Sequence, residues 1–343
     1  MARLSTGKRS LLAAALALST VPAALAQDPE SFFKGRTLQL VIGSAEGGGF
    51  DSAGRLAAKY MRRHLPGNPT IVAQNMPGAS GIRVADYLHN VAARDGSTFG
   101  ITQPSVFLNK LIDPAATYRP QDFVWIGRMA SFRGWGAVWH AAPARTIADA
   151  RQIELVLGAT GATGLGAIAG TALNQLSGTR FKVVRGYKAS ADLGIAMERG
   201  EIHVAGSTSW EYLEGRGWIA GKQAGLLYTI GLSRSPKAPD TPTIVELANG
   251  ERDRNVMKVI ASTSEIGRAL FAPPGVPAER ARALRRALDA VLASEEFKAE
   301  ALQQSFEVEP LAGEPLQAMV AELMAMPEDV VTLARSIMGP AGR

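Results

Sequence analysis

The chain has 343 residues, of which 46% are apolar and 20% are charged, and this composition is typical of a folded globular protein. The length is sufficient for two domains. Because the sequence contains no cysteine, it excludes disulfide bonds, thiolate metal sites and cysteine nucleophiles. The formal charge of +6 is modest and scattered, which argues against a nucleic-acid-binding surface.

The first 26 residues have the three parts of an export signal. Three basic residues come first, an apolar run at 11–18 follows, and Ala24-Leu25-Ala26 matches the small-x-small cleavage pattern. The apolar run is too short to span a bilayer. We therefore expect an exported, soluble protein that begins at Gln27. Removing the signal takes away three of the 37 basic residues and none of the 31 acidic ones, which leaves a net charge of +3.

A glycine-rich loop follows the first predicted strand. The apolar run at 38–42 predicts a buried strand, three consecutive glycines occupy 47–49, and an apolar stripe from 53 to 65 predicts a helix. Backbone can approach a ligand closely at glycine, and the N–H groups of a helix N-terminus favour an anion. The segment predicts an anion-binding loop. The alternative is a plain strand–helix turn with Asp51 as the N-cap.

A second loop of the same kind lies at 74–81. It follows a predicted strand at 70–73 and precedes a helical pattern that starts at Ile82. Arg83 falls in the first turn of that helix, where a cation is unfavourable unless an anion is near. It is therefore either an anion ligand or a solvated surface residue. A third predicted strand, 99–102, ends at Gln103.

The rest of the chain continues to alternate strands with helices. A strand at 122–130 is expected to cross toward another domain, and a strand at 154–158 leads into a small-residue loop at 159–166. Tyr187 and Trp210 follow later predicted strands, where they either stack on a ligand or belong to the core. A short strand at 307–310 and a final helix at 316–324 close the chain. This alternation predicts α/β layers with largely parallel sheets.

Several sequence motifs of catalytic and cofactor-binding sites are incomplete or absent. Gly164, Gly166 and Gly170 form GxGxxxG, but Val184-Arg185 stands where a dinucleotide site has its acidic residue. The four histidines have no metal-ligand spacing, and there is no GxSxG nucleophile motif. The sequence therefore predicts no metal, no cofactor and no catalytic constellation.

Five ordered segments resemble the Bug/TctC family, the periplasmic solute-binding proteins of tripartite tricarboxylate transporters. They are GSAEGGGFD (43–51), NMPGASG (75–81), RDGSTFG (94–100), SRSPKAPDTPTIVEL (233–247) and APPGVPAER (272–280). The resemblance implies an α/β, two-domain periplasmic binding protein of the Venus-flytrap, type II-like fold, with the ligand in the interdomain cleft. We expect a discontinuous first domain, 27–130 plus 245–343, and a second domain, 131–244.

The chain departs from the family pattern at four places, one of which is the V-P-Y-K-G segment, replaced by VRGYKA at 184–189. Glu46 stands where the family has proline, and it either points to solvent or selects a ligand with an amine or hydroxyl group. Phe50 replaces a small polar residue. In the second domain, Ala167 stands in place of the family's histidine.

The resemblance implies that the protein captures a small organic anion, a mono- or dicarboxylate, in the periplasm and hands it to integral-membrane permease subunits. It implies a monomer that is not an enzyme and binds no nucleic acid. An exported enzyme acting on a carboxylate or nucleotide, and a subunit that presents its ligand to a sensor, are the alternatives. The candidate ligand-binding residues are Ser44, Glu46, Gly47, Gly48, Gly49, Phe50, Asp51, Gly78, Ala79, Ser80, Gly81, Arg83, Gln103, Thr160, Gly161, Ala162, Thr163, Arg185, Tyr187, Ser207 and Trp210.

Overall fold

A computed structural model describes residues 29–113, 115–161, 164–304 and 307–338. The predicted export signal and the candidate residues Ala162 and Thr163 lie outside the described residues. Within the described ranges, no helix combines the length and the apolar character needed to cross a membrane.

Strands and helices alternate through most of the described chain. The strands are β1 (Thr37–Ile42), β2 (Thr70–Asn75), β3 (Thr98–Ile101), β4 (Val124–Arg128), β5 (Gly134–Trp139), β6 (Leu155–Ala159), β7 (Phe181–Arg185), β8 (Val204–Thr208), β9 (Ala224–Ile230), β10 (Ala269–Ala272) and β11 (Leu311–Ala312). The helices are α1 (Pro29–Phe33), α2 (Gly49–His64), α3 (Ile82–Asn90), α4 (Ser105–Ile112), α5 (Ile147–Ala150), α6 (Leu165–Ser177), α7 (Ser190–Glu198), α8 (Trp210–Gly215), α9 (Glu251–Ile266), α10 (Ala278–Ala293), α11 (Glu295–Gln303), α12 (Gly313–Met324) and α13 (Glu328–Met338).

The strands form two separate sheets. A six-stranded sheet has the order β11-β4-β10-β3-β1-β2, and a five-stranded sheet has the order β7-β6-β8-β5-β9. The chain leaves the first sheet after β4, completes the whole second sheet, and returns at β10. The α/β fold class with two sheets, which the resemblance implies, is confirmed.

The expectation of largely parallel sheets is wrong. β1 pairs in parallel with β2 and β3, and β6 with β7 and β8. The other five pairings between the described strands are antiparallel, because β10, β11 and β5 enter their sheets in the opposite direction. Strand β5 follows β4 at the crossing between the sheets without an intervening α-helix.

One apolar cluster connects the two sheets. It contains Val41 and Trp125 from the six-stranded sheet, Leu157 and Tyr228 from the five-stranded sheet, and Val256 of α9, all buried. Helix α9 packs against α4, α6 and β9. A second cluster, centred on α2 and α10, covers the opposite face of the six-stranded sheet.

Local expectations fail at several places along the chain. The strand expected at 307–310 lies instead at Leu311–Ala312, and α12 is followed by a further helix, α13. Helices α4, α8 and α9 and strand β10 have no counterpart among the predicted elements. Segments that are short or weakly periodic have too little hydrophobic periodicity to predict a helix or a strand.

Candidate functional site

The first glycine-rich loop joins β1 to α2 and is held by Asp51. Gly48 is the N-cap of α2, and Asp51 lies in the first turn with only 4% of its surface exposed. Its carboxylate accepts hydrogen bonds from the Gly47 N–H at 2.9 Å, Arg55 Nε at 2.9 Å and Asn75 Nδ2 at 2.8 Å. The same Asn75 nitrogen donates to the Ser44 carbonyl at 2.9 Å. Asp51 therefore ties the loop to its own helix and to the end of β2.

The second loop packs against the first. Gly78 and Gly81 have φ angles of 130° and 94°, which glycine adopts readily, and Ala79 between them also has a positive φ, of 47°. A Cβ at Gly81 would lie 1.8 Å from Oγ1 of Thr102, and one at Gly43 would lie 2.3 Å from the same atom. The two loops and the end of β3 therefore meet without room for side chains.

A cavity opens between the two sheets, above the ends of their parallel strands. The six-stranded side contributes residues from the first loop, the β3–α4 turn and the crossings, and the five-stranded side contributes residues from the loops after β6, β7 and β8. The lining residues are Ser44, Ala45, Gly48, Gly49, Phe50, Gln103, Pro104, Ser105, Phe132, Ala159, Thr160, Leu165, Gly166, Lys188, Ala189, Ser190, Ser207, Ser209 and Arg268.

Four helices begin at this cavity. The first residues of α2, α4, α6 and α7 are Gly49, Ser105, Leu165 and Ser190, and all four line it. The first N–H groups of a helix have no partner within the helix, and the macrodipole places partial positive charge there. Among the described lining residues there are two cations, Lys188 and Arg268, and no carboxylate. The cavity is therefore electropositive from both sides.

Arg268 is one of the lining residues that sequence reasoning missed, as is Lys188, the other cation of the cavity. Arg268 directly precedes β10 and is 4% exposed, and its guanidinium carbon lies 6.0 Å from the Phe50 ring centre and 5.6 Å from that of Phe132. Its Nη2 is 3.4 Å from the position that a Cβ at Gly49 would occupy. The only sequence signal was a single cation beside the short apolar run 269–272, in a strand that was itself not predicted.

The partner of Arg268 comes from the other sheet. Its Nη1 donates to Oε1 of Glu211, in α8, at 3.1 Å. Burial alone would raise the pKa of Glu211, but the Arg268 guanidinium, together with hydrogen bonds including one from Ser209, holds the pKa below its usual range. Glu211 is therefore charged at neutral pH, and the pair joins the two sheets beside the cavity.

The structure brings seven of the candidate residues to the cavity: Ser44, Gly48, Gly49, Phe50, Gln103, Thr160 and Ser207. Eleven other described candidates do not line it: Glu46, Gly47, Asp51, Gly78, Ala79, Gly81, Arg83, Gly161, Arg185, Tyr187 and Trp210. Ser80 lies in the short 3₁₀ turn of the second loop. Glu46 and Arg83 are exposed, and Arg83 donates to the Pro77 carbonyl at 3.0 Å.

Two of the three candidate aromatic residues, Tyr187 and Trp210, do not line the cavity. Tyr187 packs on Gly158 beside Leu193, and burial raises the pKa of its hydroxyl. The Trp210 ring lies 5.1 Å from that of Trp135 and lines a neighbouring crevice that shares Phe132 and Arg268 with the cavity.

The glycines of the GxGxxxG pattern have packing partners. A Cβ at Gly166 would lie 2.8 Å from the Ser207 backbone nitrogen, and one at Gly170 would lie 3.1 Å from the Leu157 side chain. Both glycines therefore let α6 approach the strands beneath it. No group of His, Cys, Asp or Glu suited to a metal ion occurs among the described residues.

The chain is similar to one curated protein, although no family model matches it. That relative, the UPF0065 protein in gbd 5'region of Cupriavidus necator, is 28% identical over 269 residues. The aligned region covers 76% of this chain and 75% of the relative.

Solved structures of periplasmic binding proteins share the fold over nearly their whole length. The periplasmic binding protein BugD has a TM-score of 0.69 and 21% identity, over 89% of this chain and 98% of its own. The R. palustris protein Rpa4515 with adipate has a TM-score of 0.68 and 23% identity, over 87% and 97%. A TctC solute binding protein from Polaromonas has a TM-score of 0.61 and 19% identity, over 88% and 98%. The chain therefore has the two-domain fold of the TctC and Bug periplasmic binding proteins, and the resemblance stated from its sequence motifs is confirmed.

Proposed function

We propose that this chain is a periplasmic solute-binding protein that captures a small organic anion, a mono- or dicarboxylate, between its two domains. The observation that carries the proposal is the electropositive cavity, where the first residues of α2, α4, α6 and α7 converge with Lys188 and Arg268. A helix N-terminus contributes about 0.3–1 kcal/mol to an anion, so four contribute roughly 1–4 kcal/mol.

The apolar part of the cavity favours an organic acid over an inorganic anion. Phe50, Phe132 and Leu165 line it together with the polar loop residues. Burial of a ligand's hydrocarbon against such walls adds about 25 cal/mol per Å². The structural neighbour from R. palustris contains adipate, an acid with a hydrocarbon chain of this kind.

We place the domain boundaries at 130/131 and 244/245, so that domain 1 comprises 27–130 and 245–343 and domain 2 comprises 131–244. Both boundaries fall where the chain passes between the sheets, after β4 and after β9. Closure about these crossings would trap the ligand by hinge motion. We further propose export by the signal at 1–26, a monomeric mature chain, and delivery of the ligand to the permease subunits of a tripartite tricarboxylate-type transporter.

The test is a thermal-shift screen of residues 27–343 against mono- and dicarboxylates, aromatic acids, amino acids, phosphate, sulfate and nucleotides. A ligand that binds the folded state raises the melting temperature by mass action. We expect stabilisation by an organic acid that mass spectrometry recovers unchanged. Stabilisation by nucleotides alone, or conversion of the acid, would contradict the proposal.

A matched pair of charge variants tests the location of the site. Gln103→Glu adds a carboxylate to the cavity lining, whereas Gln303→Glu adds the same charge on exposed α11. Two like charges roughly 6 Å apart repel by about 3 kcal/mol at an effective dielectric constant of about 20. We expect the acid to bind about 100-fold more weakly to Gln103→Glu and unchanged to Gln303→Glu. Equal affinity for the two variants would place the site elsewhere.

A further inference from the structure

Arg268 is one of the two cations among the described residues that line the cavity. Its side chain is almost fully buried, and Nη2 lies beside the Gly49 backbone at the start of α2. The guanidinium therefore reinforces the positive end of that helix. A guanidinium presents donors in a planar fork that matches the two oxygens of a carboxylate.

The guanidinium also lies near two aromatic rings that line the cavity. The Phe50 and Phe132 rings lie 5.2 Å from each other, and the guanidinium carbon is within 6.0 Å of both ring centres. Low polarity around the cation strengthens its interaction with an anion, since fewer water dipoles screen it. An acid whose carboxylate approaches Arg268 would place its hydrocarbon part against these rings.

Glu211 already provides a carboxylate to this cation. The distance of 3.1 Å between Arg268 Nη1 and Glu211 Oε1 is that of a hydrogen-bonded ion pair. Glu211 belongs to α8, which follows a strand of the five-stranded sheet. A ligand carboxylate near Arg268 is attracted by the guanidinium and repelled by Glu211. The net attraction of the pair for an anion is therefore much smaller than that of the arginine alone.

We propose that Arg268 is a specificity-determining residue that recognises the carboxylate of the ligand, and that Glu211 is a built-in competitor that weakens this recognition. The inference rests on the proposed function, because it concerns the same cavity and the same class of ligand. It adds that Arg268 recognises the charge of the ligand and that Glu211 lowers the affinity for it.

Neutralising Glu211 separates this proposal from a purely structural role for the pair. Glu211→Gln keeps the shape and a hydrogen-bond acceptor for Arg268 but removes the competing charge. We expect the acid identified by the screen to bind at least about tenfold more tightly to this variant. The matched control is Glu265→Gln, which neutralises the partner of Arg128 in an ion pair that does not line the cavity. Its affinity for the acid should equal that of the wild type.

Removing the cation needs a variant that still folds. Arg268→Gln alone would leave the buried Glu211 carboxylate without its counter-charge, so the double variant Arg268→Gln/Glu211→Gln is used. The readout is the ratio of the affinities for the acid and for its primary amide, measured by calorimetry. This ratio reports recognition of charge and is insensitive to a uniform loss of binding. We expect the ratio to rise in Glu211→Gln and to fall below the wild-type value in the double variant.

The possible results distinguish failure of this inference from failure of the proposed function. If the wild type binds an organic acid but the acid-to-amide affinity ratio is the same in all variants, Arg268 does not recognise the carboxylate. That result would overturn this inference and leave the proposed function standing. If Glu211→Gln weakens binding of the acid, the role of competitor is wrong. If no organic acid binds the wild type, both proposals fail together.

Discussion

Asp51 offers a direct test of how the first loop is built. The variant Asp51→Ala removes the acceptor for Gly47 N–H, Arg55 Nε and Asn75 Nδ2. A hydrogen bond contributes about 1 kcal/mol net, so loss of all three should lower the free energy of unfolding by about 3 kcal/mol. With an unfolding entropy of about 2.1 cal/mol/K per residue and a cooperative unit of roughly 200–300 residues, the melting temperature should fall by about 5–7 °C.

The assay is thermal unfolding of the mature protein without ligand, followed by titration with the acid found in the screen. Asp240→Ala is the control, because Asp240 is exposed and a surface change of this kind shifts stability by less than about 0.5 kcal/mol. We expect Asp51→Ala to be less stable even without ligand, and to bind more weakly because the loop loses its shape. An unchanged melting temperature combined with lost binding would refute this reasoning, since it would make Asp51 a direct ligand contact.

Two further predictions concern a loop glycine and the ion pair between the sheets. Gly81→Ala should lower the free energy of unfolding by about 2–5 kcal/mol, because the residue has a positive φ and its Cβ would clash with Thr102. Gly178 also has a positive φ but has open space around it, so Gly178→Ala should lower the free energy of unfolding by only about 1–2 kcal/mol. Equal melting temperatures of the two variants would contradict the packing argument. Because the pKa of Glu211 is held below its usual range, the stabilisation by its pair with Arg268 is complete above about pH 4.3 and is lost as the pH falls through the lowered pKa. The difference in melting temperature between wild type and Glu211→Gln should therefore shrink as the pH is lowered from about 7 to about 3, and a constant difference would refute the assignment.

The sequence predicted the parts of the fold that rest on local periodicity. The β1–loop–α2 unit follows from an apolar run, three glycines and an apolar stripe, and the structure has it at Thr37–Ile42 and Gly49–His64. The Thr146 side chain caps α5 by accepting a hydrogen bond from the Asp149 N–H three residues later. Such features depend on neighbours within a few residues, which a single sequence displays.

The antiparallel strands and the buried cation could not be predicted in the same way. Strand β10 is four apolar residues long, and its partners β3 and β4 are more than 130 residues away in the chain. Arg268 has the same appearance in the sequence as any surface arginine, because its burial comes from Phe50, Phe132 and Glu211, which three distant segments contribute. Candidate residues chosen from the loops alone therefore missed the cation between the domains.

The proposed recognition of the ligand by Arg268 would connect binding with the crossings between the domains. Its backbone N–H donates to the Ala130 carbonyl at 2.8 Å, and its carbonyl accepts from the Met129 N–H at 3.0 Å, so the two crossing segments are bonded to each other at this residue. Gly267 makes this approach possible, since it has a φ of 56° and a Cβ there would lie 2.1 Å from the Ala130 carbonyl oxygen. Rotation of the five-stranded domain against the six-stranded one has to bend the chain at these crossings, and it would also move Glu211 relative to Arg268. A carboxylate that takes the place of Glu211 on the guanidinium therefore changes the contacts that hold the domains together, and for this reason we expect binding and closure to depend on the same arginine.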